Sequence, residues 1–172
     1  MSAVSMIKWL PGLLLFKDSG NDWEKYFEKV YAQFKADFID KRLSYRGQKV
    51  GLKQNPLSKG KEATFWHLIS EGKIEEERTP DLRRCERIGW PAPIIENCDD
   101  SCLKVWVETI KNEDRIHLLC PQERYLLVLA VRRGYILPWT AFYIKYDHQL
   151  EKKLKKYEQY KKLTTSPLGT AS

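Results

Sequence analysis

Apolar residues recur three and four positions apart along residues 20–40. This spacing places them on one face of a helix, because an α-helix makes one turn every 3.6 residues. Asn21 or Asp22 can cap the first turn with its side-chain oxygen. We therefore predict an amphipathic helix over 20–40, whose inner face consists of Trp23, Tyr26, Phe27, Val30, Tyr31, Phe34 and Phe38.

Polar loops and short apolar segments alternate between residues 41 and 100. The stretch 41–60 is basic and interrupted by glycines, and it contains one weak strand at about 49–53. Residues 61–71 have helical spacing, and Gly72 is expected to end that helix. Pro80 suits the first turn of a second short helix, which Gly89-Trp90-Pro91 would end.

The period of the pattern changes after residue 102. Four apolar, aromatic or β-branched runs follow at 103–110, 115–120, 124–132 and 135–144, separated by short polar connections. Such runs are typical of an antiparallel meander over 103–144. Asp147 would then cap a lysine-rich helix that ends near Leu163, with Leu150, Leu154 and Tyr157 on its inner face.

The fold class that follows is α+β, with N-terminal helices packed on a four-stranded antiparallel meander and a lysine-rich C-terminal helix closing it. Residues 1–163 form one domain, and 164–172 form a disordered tail because they lack core-forming side chains. A hydrophobic fraction of 42% over 172 residues excludes disorder for most of the chain.

Composition narrows the environment and the chemistry. The net charge of +7 is compatible with a nucleic-acid partner. The four cysteines lack zinc-ligand spacing, so we expect buried free thiols, a reducing cytoplasm and neither a metal ion nor a cofactor. No apolar run approaches the length of a membrane-spanning helix, and we expect a cytoplasmic protein without a membrane partner.

Candidate chemistry is concentrated around a single histidine and a group of arginines. His67 lies in the first short helix, and the arginines follow it at Arg78, Arg83, Arg84 and Arg87. Histidine exchanges a proton near neutral pH, and arginine binds phosphate oxygens with two parallel hydrogen bonds. The same residues also have a structural interpretation, in which the arginines pair with Glu77, Asp81 and Glu86 and the histidine is part of the core.

Three segments carry a resemblance to known proteins: KEATFWHLISEGK, PDLRRCERIGWPAPII and RYLLVLAVRRGYILPWTAFYI. Together they resemble small phage-associated and bacterial proteins of the barnase, EndoU, colicin and RelE-like nuclease superfamily. The similarity spans roughly 45–163. It implies N-terminal helices on a four-stranded antiparallel sheet and the activity of a metal-independent ribonuclease, often a toxin with a neutralising antitoxin or immunity protein. The residues that match best are His67, Arg83, Arg84, Arg87 and Thr140.

The leading hypothesis is therefore a small toxin-type ribonuclease that cuts RNA through attack by the 2′-hydroxyl. His67 would act as base or acid, Arg84 and Arg87 would clamp the phosphate from one helix face, and Thr140 would bind a non-bridging oxygen. Further contacts to RNA are expected from Lys61, Arg78, Arg83, Lys152 and Lys156. Two alternatives stay open on the same scaffold, a non-catalytic nucleic-acid-binding module and a protein-interaction module.

Overall fold

The computed structural model describes residues 7–72 and 78–165. Its largest element is a four-stranded antiparallel sheet in the order β5-β6-β7-β8, which confirms the predicted meander and the α+β class. The first connection has two residues, Lys111 and Asn112, both with positive φ as a type I′ turn requires. The ladder pairs Ile110 with Glu113, so the second strand begins earlier than predicted. The strands are β5 (Lys104–Ile110), β6 (Glu113–Cys120), β7 (Tyr125–Arg132) and β8 (Tyr135–Tyr143).

The predicted N-terminal helix is α1 (Trp23–Phe38). Asp22 is its N-cap, and the Asp22 carboxylate accepts a hydrogen bond from the backbone N–H of Lys25 at 3.2 Å. The inner face carries Tyr26, Val30 and Phe34, all fully buried. Trp23 lies at the margin of this face and keeps 43% of its surface exposed.

The short elements between α1 and the sheet differ from the prediction. In place of a strand at 49–53, β1 (Ser44–Tyr45) and β2 (Gln48–Lys49) form a small hairpin. The helix predicted over 61–71 is α2 (Ala63–Ile69), and the next two residues form β3 (Ser70–Glu71). β3 pairs with β4 (Thr79–Pro80).

The expectation that Pro80 opens a helix is wrong, because Pro80 pairs with Ser70 in β4 and Asp81 caps the helix that follows. The Asp81 carboxylate accepts from the backbone N–H of Arg84 at 3.0 Å, and this capping bond fixes the start of α3 (Leu82–Glu86). The helix α3 ends at Glu86, three residues before the expected stop at Gly89-Trp90-Pro91. Pro91 instead starts another helix, α4 (Pro91–Glu96).

The sheet lies between two layers. Alternate residues of β7 point to opposite faces, so Leu127 and Leu129 join the core beneath α1–α4, whereas Leu126 and Val128 join a smaller core beneath the last helix. That helix, α5 (Asp147–Thr165), packs through the predicted Leu150, Leu154 and Tyr157. It extends two residues into the predicted disordered tail, whose remainder, 166–172, lies outside the described residues. Within the described ranges, no helix is both long enough and apolar enough to cross a membrane.

Candidate functional site at the edge of the sheet

An irregularity in the outer strand β8 defines the candidate site. Val128 of β7 pairs with Thr140, but the next residue, Leu129, pairs with Pro138. Trp139 is thus an extra residue in β8, and such bulges redirect the side chain at that position. The Trp139 indole meets His67 of α2, with ring centroids 5.5 Å apart and planes inclined by 51°. His67 is half-buried at this contact.

Arg84 reaches the same part of β8 from α3. Its Nη1 donates to the backbone oxygen of Ser70 at 2.9 Å and to Thr140 Oγ1 at 3.4 Å. Its Nη2 lies 3.5 Å from the Glu71 carboxylate, and its guanidinium lies 5.5 Å from the Phe142 ring centre. Two predicted catalytic residues therefore reach adjacent positions of β8: His67 contacts Trp139, and Arg84 contacts the hydroxyl of Thr140, the third predicted residue.

Burial restricts what Arg84 can do. Only 12% of its side chain is exposed. Burial lowers the pKa of Arg84, while the nearby carboxylates of Glu71 and Asp81 act in the opposite direction. A guanidinium held this way keeps its charge, but much of its hydrogen-bonding capacity is used inside the protein.

The prediction that Arg87 shares a helix face with Arg84 is wrong. The helix α3 has only five residues, and Arg87 is the residue that ends it. Its Nη1 donates to the backbone oxygen of Arg83 at 3.0 Å, and its guanidinium lies 4.6 Å from the Tyr143 ring and 5.2 Å from the Trp90 ring. Arg87 and Arg84 therefore face successive residues of β8, Tyr143 and Phe142.

A small cleft of about 230 Å³ opens beside Arg84. It is wide enough for a group of phosphate size, and Glu71 brings a carboxylate that is 66% exposed. Arg83 is exposed there, with its guanidinium 4.9 Å from the Tyr143 ring. The described residues that line the cleft are Glu71, Asp81, Arg83, Arg84, Phe142, Tyr143 and Lys145, so His67 and Thr140 lie outside this set.

A second charged group beside Trp139 was missed by the sequence reasoning. The Arg115 guanidinium lies 4.1 Å from the Trp139 ring centre and that of Arg132 lies 5.6 Å from it. Glu113 joins the two arginines, with its carboxylate 3.1 Å from Arg115 and 2.8 Å from Arg132. The sequence did show charged residues within otherwise apolar strand runs. The proximity of Arg115 and Arg132 to Trp139, however, depends on the pairing of three strands.

The predicted RNA-contacting residues occupy three separate surfaces. Arg83 lines the cleft, and Lys61 and Arg78 line a separate, larger groove beside α2. Lys152 and Lys156 belong to α5, where Lys156 Nζ is bonded to Glu108 at 2.7 Å. Lys156 is therefore partly committed to fastening α5 on the sheet.

Glu108 also binds His117, a histidine that is only 5% exposed and stacks on Trp106. His117 Nε2 lies 2.9 Å from the second oxygen of Glu108. Burial lowers the pKa of His117, and the pull of Glu108 in the opposite direction is smaller. Glu108 therefore links His117 of the sheet to Lys156 of α5.

The cysteines are free thiols, and three of them, Cys85, Cys98 and Cys120, are buried. Cys85 follows Arg84 directly, but burial raises its pKa to about 12, so the thiol stays protonated at neutral pH. Across residues 7–72 and 78–165, no three histidine, cysteine, aspartate or glutamate side chains are grouped so that they could hold a metal ion.

We compared the chain with family models, curated proteins and solved structures, and no match was found in any of the three comparisons.

Proposed function

We propose that the protein is a small metal-independent ribonuclease of toxin type whose site lies at the outer edge of β8. The observation that carries this proposal is that, at the bulge of β8, His67 contacts Trp139 and Arg84 donates a hydrogen bond to the neighbouring Thr140. His67, Arg84 and Thr140 come from three separate segments, and each belongs to a type that phosphodiester cleavage requires. The adjoining cleft supplies Arg83 and Lys145 as further cations for a phosphate.

The reaction requires two proton transfers and stabilisation of negative charge. The ribose 2′-oxygen attacks the adjacent phosphorus while a base removes its proton, and the bond from phosphorus to the 5′-oxygen breaks as an acid protonates that oxygen. The products are a 2′,3′-cyclic phosphate and a free 5′-hydroxyl. In this proposal His67 performs one of the two proton transfers, because imidazole is both a base and an acid near pH 7.

The cations have the second task. Negative charge builds up on the non-bridging oxygens as the phosphorus becomes pentacoordinate, and fixed donors aimed at those oxygens lower the barrier. Arg84 and Arg83 carry that role in the cleft, and Thr140 helps to hold Arg84 in position through its hydroxyl. RNA is the expected substrate, and an acidic antitoxin or immunity protein is the expected inhibitor.

The decisive test compares purified wild type, His67→Ala and His148→Ala on total RNA in EDTA. His148 is an exposed histidine at the start of α5, stacked on Tyr146, and serves as the matched control. We expect products with cyclic-phosphate ends from wild type and His148→Ala, and a loss of at least about 100-fold in rate for His67→Ala. Undiminished cleavage by a folded His67→Ala protein would remove His67 from the mechanism.

A non-catalytic RNA-binding module is the second candidate, and one observation favours it. The side chains of Arg84 and Arg87 are each only 12% exposed, and both are bonded to backbone oxygens and carboxylates of the protein. This candidate predicts salt-dependent RNA binding without product. A protein-interaction module would neither bind RNA nor cleave it. The same cleavage assay, combined with a measurement of RNA binding, therefore separates the three candidate functions.

A further inference from the structure

A groove of about 830 Å³ lies between α1 and the loop 56–61. Its volume is within the range of small-molecule and cofactor sites. The groove lies on the side of α2 that carries Trp66, whereas the next residue, His67, meets Trp139. We call it the aromatic groove, and its main lining residues are Trp23, Phe27, Leu57, Lys59, Lys61 and Trp66.

The floor of the aromatic groove is a continuous series of rings. Trp23 stacks on Phe27 with centroids 5.8 Å apart and planes inclined by 28°, and Phe27 contacts Trp66 at 5.6 Å. Trp23 is 43% exposed although it begins a helix whose other large residues are mostly covered. An exposed π-face beside a cavity is a surface on which a planar ring can stack.

The wall opposite α1 is basic and held in place. Lys61 Nζ lies 5.4 Å from the Phe27 ring and 4.9 Å from the Tyr31 ring, directly beside the aromatic floor. Lys59 and Arg78 add two more cations. The loop is fixed by the Trp66 indole, which donates to the backbone oxygen of Ser58 at 3.0 Å. The groove therefore exists before any ligand binds.

The wall formed by α1 carries the opposite charge. Glu24 and Glu28 lie one helical turn apart and line the groove facing the basic loop. An aromatic floor between cations and carboxylates matches the parts of a nucleotide, since a base stacks, its phosphate needs cations and its amino group needs an acceptor. A wholly apolar peptide would leave these charges unused.

We propose that the aromatic groove binds an unpaired nucleotide of single-stranded RNA, with the base stacked on Trp23 and the phosphate near Lys59 and Lys61. This inference rests on the proposed function, because it gives the RNA substrate a second contact in a groove separate from the cleft at Arg84. The groove would hold the strand, and the edge of β8 would cut it.

The test measures binding separately from cleavage. A fluorescein-labelled, 2′-O-methylated oligonucleotide of eight residues cannot be cut by 2′-hydroxyl attack, and its Kd is read by fluorescence anisotropy at several salt concentrations. Trp23→Leu keeps apolar area but removes the π-face, and Trp23→Phe restores a ring. We expect the Kd to rise about tenfold for Trp23→Leu and about twofold for Trp23→Phe.

Lys61→Gln has a matched control in the same protein. Lys35 also lies over the Tyr31 ring, at 5.1 Å, but is not among the residues that line the groove. If Lys61 neutralises one phosphate, its loss lowers the slope of log K against log salt by about 0.7, as expected for single strands. Lys35→Gln should leave that slope unchanged.

The outcomes separate this inference from the proposed function. Equal Kd values for Trp23→Leu, Lys61→Gln and wild type, with cleavage of unmodified RNA intact, would overturn the groove and leave the ribonuclease standing. Absence of both cleavage and oligonucleotide binding in wild type would overturn both. Weakened binding with the expected salt slopes supports the groove, whether or not His67 proves catalytic.

Discussion

Replacing Arg84 should destabilise the protein strongly, because this side chain joins α3, β3 and β8. Its strongest bond goes to the backbone oxygen of Ser70, a residue that is completely buried. Removal of the guanidinium leaves that oxygen without its charged donor. The bond to Thr140 is long, at 3.4 Å, and the ion pair with Glu71 involves a carboxylate that is 66% exposed.

The magnitude follows from these three contacts. A hydrogen bond from a charged donor to a buried acceptor contributes about 1.5–3 kcal/mol. The Thr140 contact and the solvent-screened Glu71 pair contribute about 0.5 kcal/mol each. Loss of the guanidinium contact with the Phe142 ring adds a little more. We therefore expect Arg84→Ala to lower the free energy of unfolding by about 2.5–4 kcal/mol.

Urea unfolding followed by circular dichroism measures this loss, and two further variants identify its source. Arg84→Met keeps the stem and removes the donors, so it should lose most of the same free energy. Arg83 lies one residue away and is exposed, with its guanidinium against the Tyr143 ring, so Arg83→Ala should lose about 0.5 kcal/mol. A loss of about 1 kcal/mol or less in Arg84→Ala would refute the reasoning, because the Thr140 and Glu71 contacts alone would account for it and the Ser70 bond would contribute nothing.

Two further predictions concern the elements around the site. Asp81→Ala removes the N-cap of α3 and should cost about 1 kcal/mol, whereas Asp81→Asn keeps an accepting oxygen and should cost less; thermal unfolding of both variants against wild type measures the difference, and equal melting temperatures for Ala and wild type would contradict it. The second concerns His117, whose pKa is lowered from 6.5 by burial, with Lys153 and Lys156 acting in the same direction and Glu108 opposing. At His117 the unfolded chain therefore takes up a proton more readily than the folded chain. The contribution of His117 to the free energy of unfolding is fully present above pH 6.5 and is lost as the pH decreases through the lowered pKa of the folded chain. Urea unfolding between pH 7.5 and about pH 5 should show this decline in wild type and a smaller one in His117→Gln. The same dependence of the free energy of unfolding on pH in both proteins would contradict this prediction.

Long repeating patterns made much of the fold predictable. The apolar stripe of α1 and the four strand runs repeat over many residues, so the inferred period does not depend on any single position. The short elements failed for the opposite reason. Pro80 is a good first residue of a helix, yet the helix starts later because the Asp81 side chain accepts a capping hydrogen bond from Arg84. A helix of five residues has too few positions for its apolar spacing to outweigh one such contact.

The candidate site was predictable only where its residues lie close in sequence or match the resemblance. The sequence predicts His67, Arg84 and Thr140 as site residues; the structure places His67 on Trp139 and Arg84 on Thr140, and their catalytic roles stay a prediction. The sequence did not predict Arg115 and Arg132 as site residues, because the contacts of a charged residue in a strand depend on which residues lie opposite it on the paired strands. Trp139 acquires its position from a register shift between Val128 and Leu129, which no local pattern indicates.

The two candidate functions make different use of the same arginines. Arg84 stabilises the fold through Ser70 and is nearly covered, so a loss of activity in Arg84 variants combines lost folding with lost chemistry. Arg83 and Lys145 line the same cleft but are exposed, so a phosphate entering from solvent meets them at little cost in desolvation. If the proposed function holds, recognition of RNA at this edge would depend first on these exposed cations. Arg84 would then be the fixed charge behind them, and its rigid position would suit catalysis because a preorganised donor needs no rearrangement when charge develops on the phosphate.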